Sequence, residues 1–144
     1  MKRLRGENGV EMLEFALVIP IFVFVLYGLI AFGLMLSAKQ TVTNAAAEGA
    51  RSAVGAAGNS AAQIAAAQAK VDSAMKSYSG YDVHDPKDFN ATVAPCDPNN
   101  QSGPSCITVK VTYPYSDHPL VPPAPGLGLL MPNTLSSTAV VQVS

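Results

Sequence analysis

Two hydropathy regimes divide the chain. From Phe15 to Leu36 (FALVIPIFVFVLYGLIAFGLML) 22 residues pass without a charge. As a helix rising about 1.5 Å per residue they reach roughly 33 Å, close to the ~30 Å hydrocarbon core of a bilayer. A secretory apolar region is usually only about 7–15 residues long. The remaining sequence offers no surface able to cover such a helix on all sides, so the run reads as a membrane span and not as a buried core helix. Beyond it, Val42, Ala46, Gly49, Ala50, Ala53 and Val54 recur at intervals of three and four, giving a narrow helical face of small residues. No breaker separates Leu36 from Val54, which predicts one long helix over residues 10–57 with the span at 15–36. The cluster Gly55, Gly58, Asn59 ends it.

Asn59 or Ser60 then caps a second helix, AAQIAAAQAKVDSAMKSYSG, with Ile64, Val71, Met75 and Tyr78 along its apolar stripe and Gly80 as its stop. Period-two patterns follow. FNATVAP reads as a strand, as does CITVKVTYPY, where Ile107, Val109, Val111 and Tyr113 alternate with Thr108, Lys110 and Thr112. TLSSTAVVQV alternates with Leu135, Ser137, Ala139, Val141 and Val143 on one face. Between these last two, residues 114–132 are too rich in proline to be a strand and read as a long loop. The expected fold is α+β: a long N-terminal transmembrane helix running into a small exported domain, residues 58–144, with a second helix and about three antiparallel strands. A domain of about 85 residues is near the lower limit for a self-sufficient core.

Charge fixes the expected orientation. Lys2, Arg3 and Arg5, against Glu7 alone, form a basic leader over residues 1–9, whereas the first charges after the span, Lys39, Glu48 and Arg51, are sparse and mixed. The positive-inside bias predicts a cytoplasmic N-terminus and export of everything beyond the span. The net charge is −1 and no basic block is interleaved with aromatics, so nothing points to nucleic acid. The two cysteines, Cys96 and Cys106, flank the turn-forming stretch DPNNQSGPS. An oxidising compartment favours their pairing over free thiols. A metal site would need further ligands at short spacing, and His84 and His118 stand apart.

Candidate chemistry is sparse elsewhere. Asp82, His84, Asp85 and Asp88 form an acidic loop without a nucleophile, base and orienter, and DPNNQSG lacks the alternating acids and closing glutamate of a calcium loop. A catalytic role, a cofactor and a metal are therefore not expected. Glu48 and Arg51, at i and i+3, are spaced for a helix-surface ion pair. Gly28 and the Gly33/Ser37 pair offer small residues where another membrane helix can approach, and Pro20 frees backbone carbonyls early in the span.

Two acids, Glu11 and Glu14, stand at the threshold of the apolar run, preceded by Gly9 in GVEMLEF. A carboxylate there costs less than the roughly 2.5–3.5 kcal/mol it would cost at the bilayer centre, and for Glu11 a surface acid reaching to the interface accounts for it. Glu14 is different. A cut after Gly9 would make Val10 a new N-terminus, whose ammonium, with an ordinary pKa of about 8, lies within two helical turns of that carboxylate.

This arrangement resembles the processing site of type IV prepilins, in the variant used by pilins of the tight-adherence (Flp) system, with Phe15 where those carry tyrosine. Over Glu14–Val54 the chain resembles the TadE-like family: the entry E-F-A-L-V-x-P (Glu14, Phe15, Pro20), the F-G near the end of the span (Gly33), and the closing N-A-A-x-E-G-A-R (Asn44, Glu48, Gly49, Arg51). The resemblance implies a minor pilin-like subunit cleaved by a prepilin peptidase between Gly9 and Val10. Its implied partners are a major Flp-type pilin, other minor pilins, the inner-membrane assembly platform and the lipid bilayer. An anchored or secreted binding protein unrelated to pili is the alternative. Release at an A-x-A site such as Ala45–Ala47 fits poorly, because the apolar run is too long and ends too far upstream.

Overall fold

In the computed structural model, residues 7–56, 59–83, 85–122, 128 and 131–143 are described. The basic residues Lys2, Arg3 and Arg5, the loop residue His84 and part of the proline-rich loop lie outside them. The first element, α1, is a single helix over Glu7–Gly55, continuous through Pro20. It starts before the expected boundary at residue 10 and ends two residues short of residue 57, where Gly55 leads into the expected glycine cluster. From Gly9 to Ile30 no side chain of α1 is buried, so a run of Phe, Val, Leu and Ile faces outward all round. Among the described residues this is the one helix long and apolar enough to cross a membrane. The chain forms two compact units, the first ending at Leu34 and the second beginning at Met35.

The second unit contains the C-terminal part of α1 and a second helix, α2, over Ser60–Ser79. The N-cap is Asn59, whose Oδ1 accepts from the Ala62 N–H at 3.1 Å. The stop is Gly80, at φ 69°, where only glycine sits without a Cβ penalty. Its N–H closes the last turn on Lys76 O at 3.0 Å. Three strands follow, β1 (Phe89–Pro95), β2 (Ser105–Tyr113) and β3 (Leu135–Val143), in the order β1-β2-β3 and antiparallel throughout. The register sets Val93, Ile107 and Val141 in one row and Ala91, Val109 and Ala139 in the next. Alternation therefore delivers the β2 residues Ile107, Val109, Val111 and Tyr113 to one buried face. Against it pack Val42, Ala46, Ala50 and Ala53 of α1 with Ala67, Val71 and Met75 of α2.

Three expectations need correction. Val54 is 47% exposed, because it lies a full 100° round the helix from Ala53, which takes the core position. Tyr78 is 36% exposed and not a core residue, whereas Ile64 is half-buried and packs against the core; the fully buried row of α2 is Gln63, Ala67, Val71, Met75 at a strict spacing of four. The strand expected to run through Pro114 to Tyr115 ends at Tyr113, although Tyr115 is still buried.

Candidate functional site

The entry site belongs to the first unit. Glu11, Glu14, Phe15 and Val18 recur at helical spacing, and together they line a shallow surface groove on α1. Both carboxylates are exposed. A Cβ on Gly9, Gly28 or Gly33 would meet nothing within 4 Å. None of these three glycines is therefore required by a close contact among the described residues.

The closing motif belongs to the second unit, and there the geometry is decisive. Gly49 lies where α1 crosses α2: a Cβ at this position would stand 2.6 Å from Val71 Cγ2 and 3.2 Å from Ala67 O. The absent side chain is what lets the two backbones approach. On either side of the crossing the i±4 ridge Ala38, Val42, Ala46, Ala50 is buried, as are Ala45 and Ala53. Ser52 seals the approach, its Oγ lying 2.7 Å from Gly49 O and 3.1 Å from Ala66 O on α2. At the exposed rim Glu48 pairs with Lys70 of α2 at 3.7 Å. That replaces the expected Glu48–Arg51 pair: the nearer cation is on the other helix, because the glycine beside Glu48 draws α2 close. At this exposure the pair is worth a few tenths of a kcal/mol. Asn44 and Arg51 are exposed.

Cys96 and Cys106 are bridged, with Cα atoms 4.9 Å apart, and no described cysteine is free. The Cys96 N–H donates to Pro104 O at 2.9 Å, so the bridge staples the β1–β2 turn where the ladder ends.

The described acids of the loop, Asp82, Asp85 and Asp88, each accept a hydrogen bond within the domain. Lys76 Nζ bonds both oxygens of Asp82 at 3.0 Å, and this raises the lysine pKa. Asp85 Oδ1 accepts from the Lys87 N–H at 2.9 Å within a turn. Tyr81 Oη donates to Asp88 Oδ2 at 2.6 Å. Burial, then that hydrogen bond to a carboxylate, hold the Tyr81 phenol well above its ordinary range, and burial raises the Tyr113 phenol. These rings pack edge-on at 5.3 Å, and His118 tilts against Tyr81 at 4.9 Å. No cluster of three His, Cys, Asp or Glu residues suited to a metal ion occurs among the described residues.

Residues 9–51 match the model of the TadE-like protein family. The chain thus carries a TadE-like segment over Gly9–Arg51, starting five residues before and ending three residues short of the Glu14–Val54 stretch in which the motif residues lie. No curated protein and no solved structure matches the chain. The TadE-like segment spans both units: its first part is the exposed apolar helix, and its last part is the α1 surface on which α2 and the sheet are built.

Sequence reasoning missed Gln63, Ala67, Tyr81 and Val83 as packing residues. The signal for the first two was the row of four at positions 63, 67, 71 and 75, visible once glutamine and alanine are admitted to a core face. No periodic signal marked Val83, which lies in a loop held by its N–H on Asp72 Oδ1 at 3.1 Å.

Proposed function

We propose that the chain is a minor pilin-like subunit of a tight-adherence, type IV-like pilus. The TadE-like segment connects it with Tad pilus-related function in general. The observation that carries the finer reading is that the match begins at Gly9, on a helix whose apolar side chains are exposed all round. In this reading a prepilin peptidase cuts after Gly9, the helix passes from the membrane into a bundle of neighbouring subunits, and the disulfide-stapled domain is outside the cytoplasm. No catalytic step is assigned to the chain; its work is assembly.

Glu14 supplies the register. Once Val10 is the N-terminus, the Glu14 carboxylate and the ammonium of an adjoining subunit attract in an apolar surrounding where each alone is costly. The partners implied are the peptidase, the major pilin, other minor pilins and the membrane assembly platform. The test is the N-terminal residue of the native protein by mass spectrometry, combined with crosslinking to the major pilin. Val10 at the terminus and a crosslink support the reading; an intact N-terminus with no crosslink to any pilin overturns it.

A further inference from the structure

The face of the sheet turned away from the helices carries a sequence that the assembly role does not use. Asn90-Ala91-Thr92 has the form Asn-x-Ser/Thr, with x not proline, that marks an acceptor for an N-linked glycan. Asp88 precedes Asn90 by two residues. In an extended chain, side chains two residues apart share a face at intervals of about 6.6 Å. The carboxylate of Asp88, the amide of Asn90 and the hydroxyl of Thr92 then stand in one line, which an enzyme can grip at both ends while it acts on the middle.

In the fold, Asn90 pairs with Lys110 and that residue with Thr138, while Thr92 pairs with Thr108 and then Val140. The helices lie against the opposite face, where Ile107, Val109 and Val111 are buried. Asn90, Thr92, Lys110, Thr138 and Val140 are all exposed. Among the described residues no hydrogen bond engages the side chain of Asn90 or Thr92. A bulky group on Asn90 Nδ2 therefore displaces no packed atom.

A second sequence of the same form, Asn100-Gln101-Ser102, is less suited. The residue two before it is Pro98, and its backbone is bent: the Asn100 N–H donates to Asp97 O at 3.0 Å, and Asn100 O accepts from the Gly103 N–H at 3.1 Å. These bonds are local, inside the ring closed by Cys96 and Cys106, and form without the sheet. The ladder partner of β1 is β2. A chain exported N-terminus first presents residues 88–92 before residues 105–113 follow, and in that interval β1 has no strand to pair with.

We propose that Asn90 is an acceptor for an N-linked glycan, attached during export and before β2 closes the ladder. The co-substrate is an oligosaccharide carried on a polyprenyl diphosphate. Asn90 Nδ2 forms a bond to the anomeric carbon of the sugar. The bond from that carbon to the diphosphate breaks, the diphosphate leaves with the electron pair, and the amide gives up one proton to a base of the transferase. Nothing is oxidised or reduced. The inference rests on the reading that this domain lies outside the cytoplasm.

The test is mass spectrometry of the full chain isolated from its native envelope. Cleavage at Lys87 and Lys110 releases residues 88–110 as one peptide carrying both sequences, so its fragments must locate the modification. The expected result is a sugar mass on Asn90, lost in Asn90→Gln and in Thr92→Ala, which keeps the amide, and regained in Thr92→Ser. Replacing both cysteines by serine, which leaves the β1–β2 turn unstapled, should raise the modified fraction; an unchanged fraction overturns the proposed timing. An unmodified peptide overturns the inference, as does a sugar on Asn100 alone or one that persists in Asn90→Gln. Protease added to spheroplasts separates the two readings. A domain digested from outside yet unmodified leaves export standing and removes the glycan, whereas a protected domain refutes export and the inference with it.

Discussion

Replacing Gly49 by alanine tests the helix crossing directly. In an exposed helix interior this change stabilises, since glycine costs about 0.8–1.0 kcal/mol relative to alanine. Here the new Cβ would lie 2.6 Å from Val71 Cγ2 and 3.2 Å from Ala67 O. Val71 is fully buried and turns only about χ1, and the carbonyl belongs to the backbone of α2, so neither yields easily. Overpacking of this kind costs about 1–3 kcal/mol, and a contact this short belongs at the upper end. Subtracting the propensity gain leaves a net destabilisation of about 1–2 kcal/mol. For a domain of this size that lowers the melting temperature by very roughly 4–15 °C. The assay is thermal and urea unfolding of the full chain in mild detergent, run as a double-mutant cycle with Val71→Ala. Shortening Val71 removes the nearer clash, so the double variant should lose less than the sum of the single losses by at least about 1 kcal/mol. If Gly49→Ala alone raised stability by about 1 kcal/mol, or if the two changes were additive, the close approach of α1 to α2 would be wrong.

Three further outcomes are expected. Cys96→Ser with Cys106→Ser should cost about 2.5–3 kcal/mol, from the loop-closure entropy of a ring of about 11 residues, measured by unfolding with and without reductant; equal stability in both conditions would contradict a structural bridge. The raised phenol pKa of Tyr81 means that the unfolded chain releases its proton first, so the stabilisation is complete below about pH 10 and is lost as pH climbs toward the folded value. Tyr81→Phe should flatten that alkaline loss in a pH series of unfolding curves, and an unchanged slope would count against the Tyr81–Asp88 bond. In the entry site, Gly9→Val should leave an uncut precursor, while Glu14→Ala and Glu14→Gln should spare insertion and cleavage but reduce crosslinking to the major pilin, with Glu11→Ala close to wild type; equal crosslinking in all three glutamate variants would reduce Glu14 to an interfacial acid.

Much of this molecule was determined along the chain itself. The apolar run, the caps at Asn59 and Gly80 and the period-two strands are local signals, read from spacing and from the backbone demands of single residues. For that reason the expected α+β fold, the strand positions and the Cys96–Cys106 pairing agree with the structure. What the sequence could not determine is which residues meet across elements. Glu48 was within reach of Arg51 on its own helix, but α2 brings Lys70 to it. Gly49 carried no meaning as a lone glycine until Val71 and Ala67 were found against it. Val54 and Tyr78 have the composition of core residues and lie outside, while Gln63 lies inside, because burial depends on where the second helix and the sheet fall around α1. Local periodicity fixes the face of an element to within a residue or so, and only the packing of three elements against one another decides which side of that face is covered.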